Sequence, residues 1–157
     1  MPTWEEFEAA APEMAALGRA QLPGLAYLAT VRRNGAPRVH PVCPFISSGR
    51  LFVTTAPTSP KRFDLLRDGR YVLHMMPGAR DEEFVISGHA HLVDDPSLRA
   101  MAVESALAAV QPGSDQGIEV RPEELLFEYD IEHAMSTVWK GRPPPAGRPA
   151  RRFWAPS

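Results

Sequence analysis

The chain has 157 residues, 44% of them hydrophobic and 23% charged, which fits one ordinary globular domain and excludes both intrinsic disorder and two full catalytic domains. A formal net charge of -2 supplies no positive field for nucleic acid, and the single cysteine, Cys43, excludes an intrachain disulfide and a cysteine-cluster metal site. Acidic residues stand where a signal peptide needs basic ones, and no apolar run approaches the ~18 residues of a membrane span, so a soluble, cytoplasmic protein with no membrane partner is expected.

Thr3 and Glu6 have capping-box spacing, and Trp4, Phe7, Ala11 and Met14 recur on one helical face. Pro12 predicts either a kink or the start of a second short helix. Residues 1–22 are thus a helical segment, 23–139 the body of the domain and 140–157 a Pro/Arg-rich tail. From Leu25 the period changes to two, and Asn34-Gly35 announces a hairpin whose second strand runs from about Pro37 to Ile46. A third strand covers Leu51 to Thr55, completing an antiparallel meander.

Ser59 has the chemistry of an N-cap and Pro60 that of a first helical residue, so a helix is expected from Pro60 to Asp68 with Phe63, Leu65 and Leu66 inward. Strands follow over Tyr71–Met76 and Glu83–Val93, the latter with Ile86, Ala90 and Leu92 on one face. Asp95-Pro96 opens a helix to about Val110, then a loop spans 111–122. A last strand covers Leu125–Trp139. About six antiparallel strands and three helices predict a mainly β (α+β) fold, a small barrel with flanking helices. No dinucleotide fingerprint or P-loop is present.

One stretch concentrates anion-binding chemistry. A strand ending in Thr54-Thr55 leads through a short loop to a helix start, where free N–H groups and the dipole favour an anion. Ser59 and Lys61 add a hydroxyl and a charge, and Arg38 could reach in from a neighbouring strand as a bidentate fork. Ser-Pro before a helix is more commonly simple capping.

The order and spacing of Leu28-Ala29-Thr30-Val31, Asn34-Gly35-Ala36-Pro37, Arg38-Val39-His40-Pro41-Val42, and Ser59-Pro60-Lys61 before Asp64-Leu65-Leu66 resemble the pyridoxamine 5'-phosphate oxidase-like, FMN-binding split β-barrel superfamily, in particular its short actinobacterial-type members. The resemblance covers roughly Leu25–Val93. It implies a homodimer binding FMN, or in some branches the deazaflavin F420, between subunits. Arg38, Val39, His40, Pro41 and Val42 then match the strand along the flavin ring and phosphate, Thr54 and Thr55 the end-of-strand pair near the phosphate, and Ser59, Pro60 and Lys61 a Ser-Arg-Lys phosphate motif. Pro60 departs from its arginine, and Cys43 stands where the oxidase has lysine. The oxidase's C-terminal substrate signature has no match, so the vitamin B6 oxidase itself is not expected. The reaction implied is hydride transfer through flavin N5 to or from a small molecule. Alternatives are an F420-dependent reductase or a non-catalytic flavin- or haem-binding protein.

Other residues read more plainly. His89 and His91 share a strand face, but no third metal ligand is evident, and no metal is expected. Cys43 reads as a small buried hydrophobe. Trp139 or Trp154 could approach a flavin from a partner chain, and the basic tail is either disordered or docked. No side chain is singled out as catalytic. Pro41 and Pro44 cannot donate ladder hydrogen bonds, which predicts an edge strand or barrel mouth.

Overall fold

The computed structural model describes residues 1–22, 24–77, 81–108, 120–139 and 148–157. Thr3 caps α1 (Trp4–Ala10) through its hydroxyl, and the Glu6 carboxylate accepts from the Thr3 amide at 2.7 Å, the reciprocal box that the spacing predicts. Pro12 opens a separate α2 (Pro12–Ala20), because its missing N–H costs nothing at a helix start. Trp4 and Phe7 are fully buried and meet Phe84 with ring centroids 6.1 and 6.2 Å away. Gly18 of α2 presses so closely on this cluster that a Cβ there would lie 2.4 Å from the Phe84 ring.

The Asn34-Gly35 turn joins β1 (Ala26–Val31) to β2 (Pro37–Val42), with Gly35 at a φ of 83°. The second strand stops at Val42 and does not run on to Ile46. β3 (Phe45–Ser47) pairs instead with β4 (Arg50–Thr55), across a turn with Ser48 and Gly49 both at positive φ. The expected meander is therefore interrupted. β1 lies between β2 and β5 (Arg70–Met75), whereas β4 lies between β3 and β7 (Leu125–Tyr129). Among the described residues β2 pairs with β1 alone, the edge position that Pro41 predicts. Cys43, in the crossover from β2 to β3, is exposed and not the buried hydrophobe expected, because the chain there leaves one part of the sheet for another.

β6 (Glu83–Leu92) is the spine of the sheet. One edge pairs with β5, while the other serves β8 (His133–Val138) along Glu83–Ser87 and β7 along Ala90–Leu92. The single final strand expected over Leu125–Trp139 is broken at residues 130–132. There the Asp130 amide donates to the His89 carbonyl and the Glu132 amide to the Ser87 carbonyl. Gly88 faces this corner, where a Cβ would come within 2.1 Å of the Asp130 carbonyl oxygen. At the end of β6, Val93 and not Leu92 turns inward, joining Phe45, Phe52 and Leu126 in a second, smaller core cluster.

Beyond β8, the chain's end forms β9 (Ala150–Trp154) against β8, and Trp154 packs edge-on to Phe7 at 4.9 Å. The tail thus docks on its own chain. Two more helices complete the described residues: α3 (Pro60–Arg67) and α4 (Pro96–Ala108), whose start is capped by Asp95 accepting from the Ser97 amide at 2.7 Å. The expected end of α4 near Val110 and most of the 111–122 loop lie outside the described residues. The result is a mainly β split barrel, as predicted, with nine antiparallel strands in place of six and four described helices in place of three. No described helix is long and apolar enough to cross a membrane.

Candidate functional site at the start of the third helix

α3 decides which side chains meet. Ser59 occupies the N-cap position, but its hydroxyl makes no capping bond and instead accepts from Lys61 Nζ at 3.0 Å. The expectation that Ser59 caps the helix is thereby corrected: a cation two residues on competes for the same oxygen. Phe63 and Leu66, expected to point inward, are 52% and 49% exposed. Asp64 takes the inward place beside Leu65 and is only 3% exposed. Partners from the sheet draw the carboxylate in. Its Oδ2 accepts from Arg38 Nε at 2.7 Å and from Thr30 Oγ1 at 2.9 Å, and its Oδ1 from Arg67 Nη2 at 3.3 Å.

The period-two geometry of β2 sorts the five residues matched there. Arg38 and His40 share the half-buried face, Val39 and Pro41 the exposed one, and Val42 enters the core. Thr54 and Thr55 also point to opposite faces; Thr55, buried, shares the face of Leu51 and Val53. Pro60 fills the first helical position and donates nothing. The structure therefore gathers Arg38 and His40 with the α3 start at Lys61, while Val39 and Pro41 serve the opposite face.

Charges from both elements act on His40. His40 is held below the usual imidazole range by burial first, then by the positive charges of Lys61, Arg38 and Arg32, against the opposing pull of Asp64. Lys61 is lowered by burial, with Glu124 opposing. For Asp64, burial works against ionisation, yet the bonds from Arg38, Thr30 and Arg67 outweigh it and hold the carboxyl below its ordinary value.

On β2, β4 and α3, three buried polar atoms find no partner among the described residues: His40 Nε2, Thr55 Oγ1 and Arg62 Nε. Arg62 does donate through Nη1 to the Pro57 carbonyl. Among the described residues the other such atoms stand on α1, β7, β8 and the end of α2. Unspent donors beside half-buried cations, with Asp64 already engaged, suit an added oxyanion. The donor set fits the phosphate of FMN.

The reverse face of the same strands is apolar. Tyr27, Ala29, Val39, Val72, His74 and Met76 line a shallow cleft of about 400 Å³, with Val39 59% exposed. The histidine pair lies elsewhere, each ring already engaged: His89 Nδ1 with Glu132 at 2.7 Å and His91 Nε2 with Asp130 at 2.8 Å. Among the described residues no cluster of three or more metal-ligating groups forms. Trp154, packed on Phe7, is occupied within its own chain.

Sequence reasoning missed Asp64, Thr30 and Arg67 as parts of this site. The signal was present in the helical period: with Leu65 inward, positions 61, 64 and 68 fall on the same face. Thr30 lies directly across the β1–β2 ladder from Arg38.

Comparison with known proteins follows the same lines. No curated protein matches the chain. Among solved structures it is similar to a pyridoxamine 5'-phosphate oxidase-related, FMN binding protein from Nostoc punctiforme (15% identity, TM-score 0.56, covering 96% of this chain and 97% of that one). It is also similar to a nimc/nima family protein from Clostridium acetobutylicum (18% identity, TM-score 0.58, 88% and 90%). A third likeness is to a heme binding protein from Mycobacterium smegmatis (17% identity, TM-score 0.58, 82% and 52%). At these identities the likenesses establish the fold. The sequence profile described as Pyridoxamine 5'-phosphate oxidase matches residues 12–134, spanning both the cradle around α3 and the β6 spine, and the chain belongs to that family.

Proposed function

We propose that the chain is an FMN-binding oxidoreductase of the cytoplasm that works as a homodimer. The observation that carries this reading is His40 Nε2, a buried ring nitrogen without a partner among the described residues, set within the positive charges of Arg38 and Lys61. Lys61, Ser59 and Arg38 hold the phosphate; of the end-of-strand pair, which faces two ways, Thr55 with its unpartnered hydroxyl supports it, and the His40–Val42 strand lies along the ring. FMN, when bound, supplies hydride transfer at its N5 to or from a small organic molecule. The protein's part is to bind, orient and shield.

The apolar cleft on the reverse face supports the dimer. Tyr27, Val39, Val72 and Met76 form an exposed apolar patch of the kind that marks an interaction surface. A second chain seated there would bury it.

A second reading, a haem-binding protein, draws on His40 Nε2, a ring nitrogen without a partner on a histidine held neutral. Absorbance titrations of the purified protein with FMN, F420 and haemin separate these readings. FMN binding that weakens in Lys61→Ala and Ser59→Ala supports the first. A Soret shift abolished by His40→Ala supports the second, and selective F420 binding the deazaflavin alternative. Binding of none of the three would defeat all of them.

A further inference from the structure

We infer that Asp64 is a positioning residue that fixes the Arg38 guanidinium for phosphate and so makes the site discriminate a phosphorylated flavin from an unphosphorylated one. This rests on the flavin-phosphate reading above.

The geometry is specific. A carboxylate that is 3% exposed receives donors from three elements: Thr30 on β1, Arg38 on β2 and Arg67 on α3 itself. Arg38 is gripped through Nε, and among the described residues its two Nη groups take no hydrogen bond. A guanidinium held by Nε keeps both Nη groups as a fork free to present to an oxyanion. Thr30 is the direct cross-strand neighbour of Arg38 and shares Oδ2 with it, so the carboxylate is centred over that one ladder rung. Arg67 ties the same helix to β1 by donating to the Val31 carbonyl. The alternative, a carboxylate serving only to dock α3, needs neither the edge-strand arginine nor the Nε mode of contact. A leucine beside Leu65 would dock the helix as well.

Charge points the same way. Asp64 is shared by two arginines, and the positive charge of Lys61, with Glu124 opposing it, reaches the neighbouring His40, so cations outnumber anions around the carboxylate. An incoming phosphate adds to the cluster without having to displace Asp64.

The test measures binding of FMN and riboflavin, which differ only in the phosphate, by flavin fluorescence. Asp64→Asn is uncharged and presents one N–H edge, so its grip on the guanidinium weakens in either orientation. Wild-type protein is expected to prefer FMN. In Asp64→Asn, FMN affinity falls about tenfold or more while riboflavin affinity stays within about twofold, in line with the worth of a charge-assisted hydrogen bond. In an Arg38→Lys background, which keeps the charge but loses the fork, Asp64→Asn has little further effect on the ratio. Should Asp64→Asn fail to fold, Thr30→Val is expected to lower FMN affinity a few-fold and leave riboflavin unchanged.

A folded Asp64→Asn protein, or Thr30→Val in its place, with an unaltered FMN to riboflavin ratio overturns the inference. Equal losses for both flavins overturn it as well, because that is the mark of a merely structural role. Wild-type protein that fails to prefer FMN instead removes the phosphate reading, and this inference with it.

Discussion

Two regions of the molecule solve burial in opposite ways. The plug formed by Trp4, Phe7, Phe84 and Trp154 is aromatic and tightly packed, with Gly18 leaving no room for one more carbon. The cradle at α3 buries a carboxylate, surrounds it with cations and leaves polar atoms unspent. The first arrangement is closed ring against ring, with Trp4 Nε1 its unpartnered buried polar atom among the described residues; the second is built of charge and, on the reading proposed above, takes a phosphate. Stability and function are thus lodged at different places, and substitutions can test whether they separate.

The largest effect is expected at the plug. Phe84→Ala should cost about 3–5 kcal/mol, the range for truncating a buried aromatic, measured by urea denaturation. A loss under about 1 kcal/mol would mean that the cluster collapses into the space and is not the close-packed body described. At the cradle, Lys61→Ala should weaken FMN binding roughly ten- to a hundredfold, the worth of a charged hydrogen bond of about 1.5–3 kcal/mol. Its melting temperature should hold steady or rise, because burial already disfavours the Lys61 charge in the folded state. A large fall in Tm would erase the contrast between the regions.

A pH series sharpens the comparison further. Because the folded chain holds His40 below its usual range, the unfolded chain takes up a proton first as the pH falls below about 6.5. The stability tied to neutral His40 is therefore full above that pH and declines toward the folded-state value. His40→Gln should flatten this slope, and bound FMN, by offsetting the neighbouring cations, should make it shallower. Asp64 acts at lower pH: its depressed carboxyl contributes above about pH 4 and is lost as the pH drops through its folded-state value. The smallest effect belongs to the exposed pair of Arg19 with Glu8, where Glu8→Gln should shift stability by less than about 1 kcal/mol in thermal melts.

How much was legible in the sequence follows from where local signals dominate. Thr3 and Glu6, Pro12, Asn34-Gly35 and the edge prolines speak through backbone chemistry, and the structure bears them out. The corner at residues 130–132 was invisible because Phe127, Tyr129 and Ile131 are all buried across it, so the alternation runs on unbroken while the backbone bends. β9 was unreadable for the opposite reason. Its pairing rests on the backbone of β8, and its arginines carry no strand pattern. Asp64 escaped because propensity places a carboxylate outside a helix, and two of the three partners that make the inside acceptable, Arg38 and Thr30, are distant along the chain.

The Gly88 joint bears on how the fold is reached in time. β6 is expected to pair first with β5, its near neighbour along the chain, because the partners of its second edge, β7 and β8, come only after α4 and the residues beyond it. Closing that long loop carries an entropic toll before any contact repays it, so the late zippering of β7 and β8 is expected to limit the folding rate. The bend at Gly88 is the last fitting in that sequence. A side chain there would burden the finished corner, and Gly88→Ala should chiefly quicken unfolding and leave the refolding rate little changed.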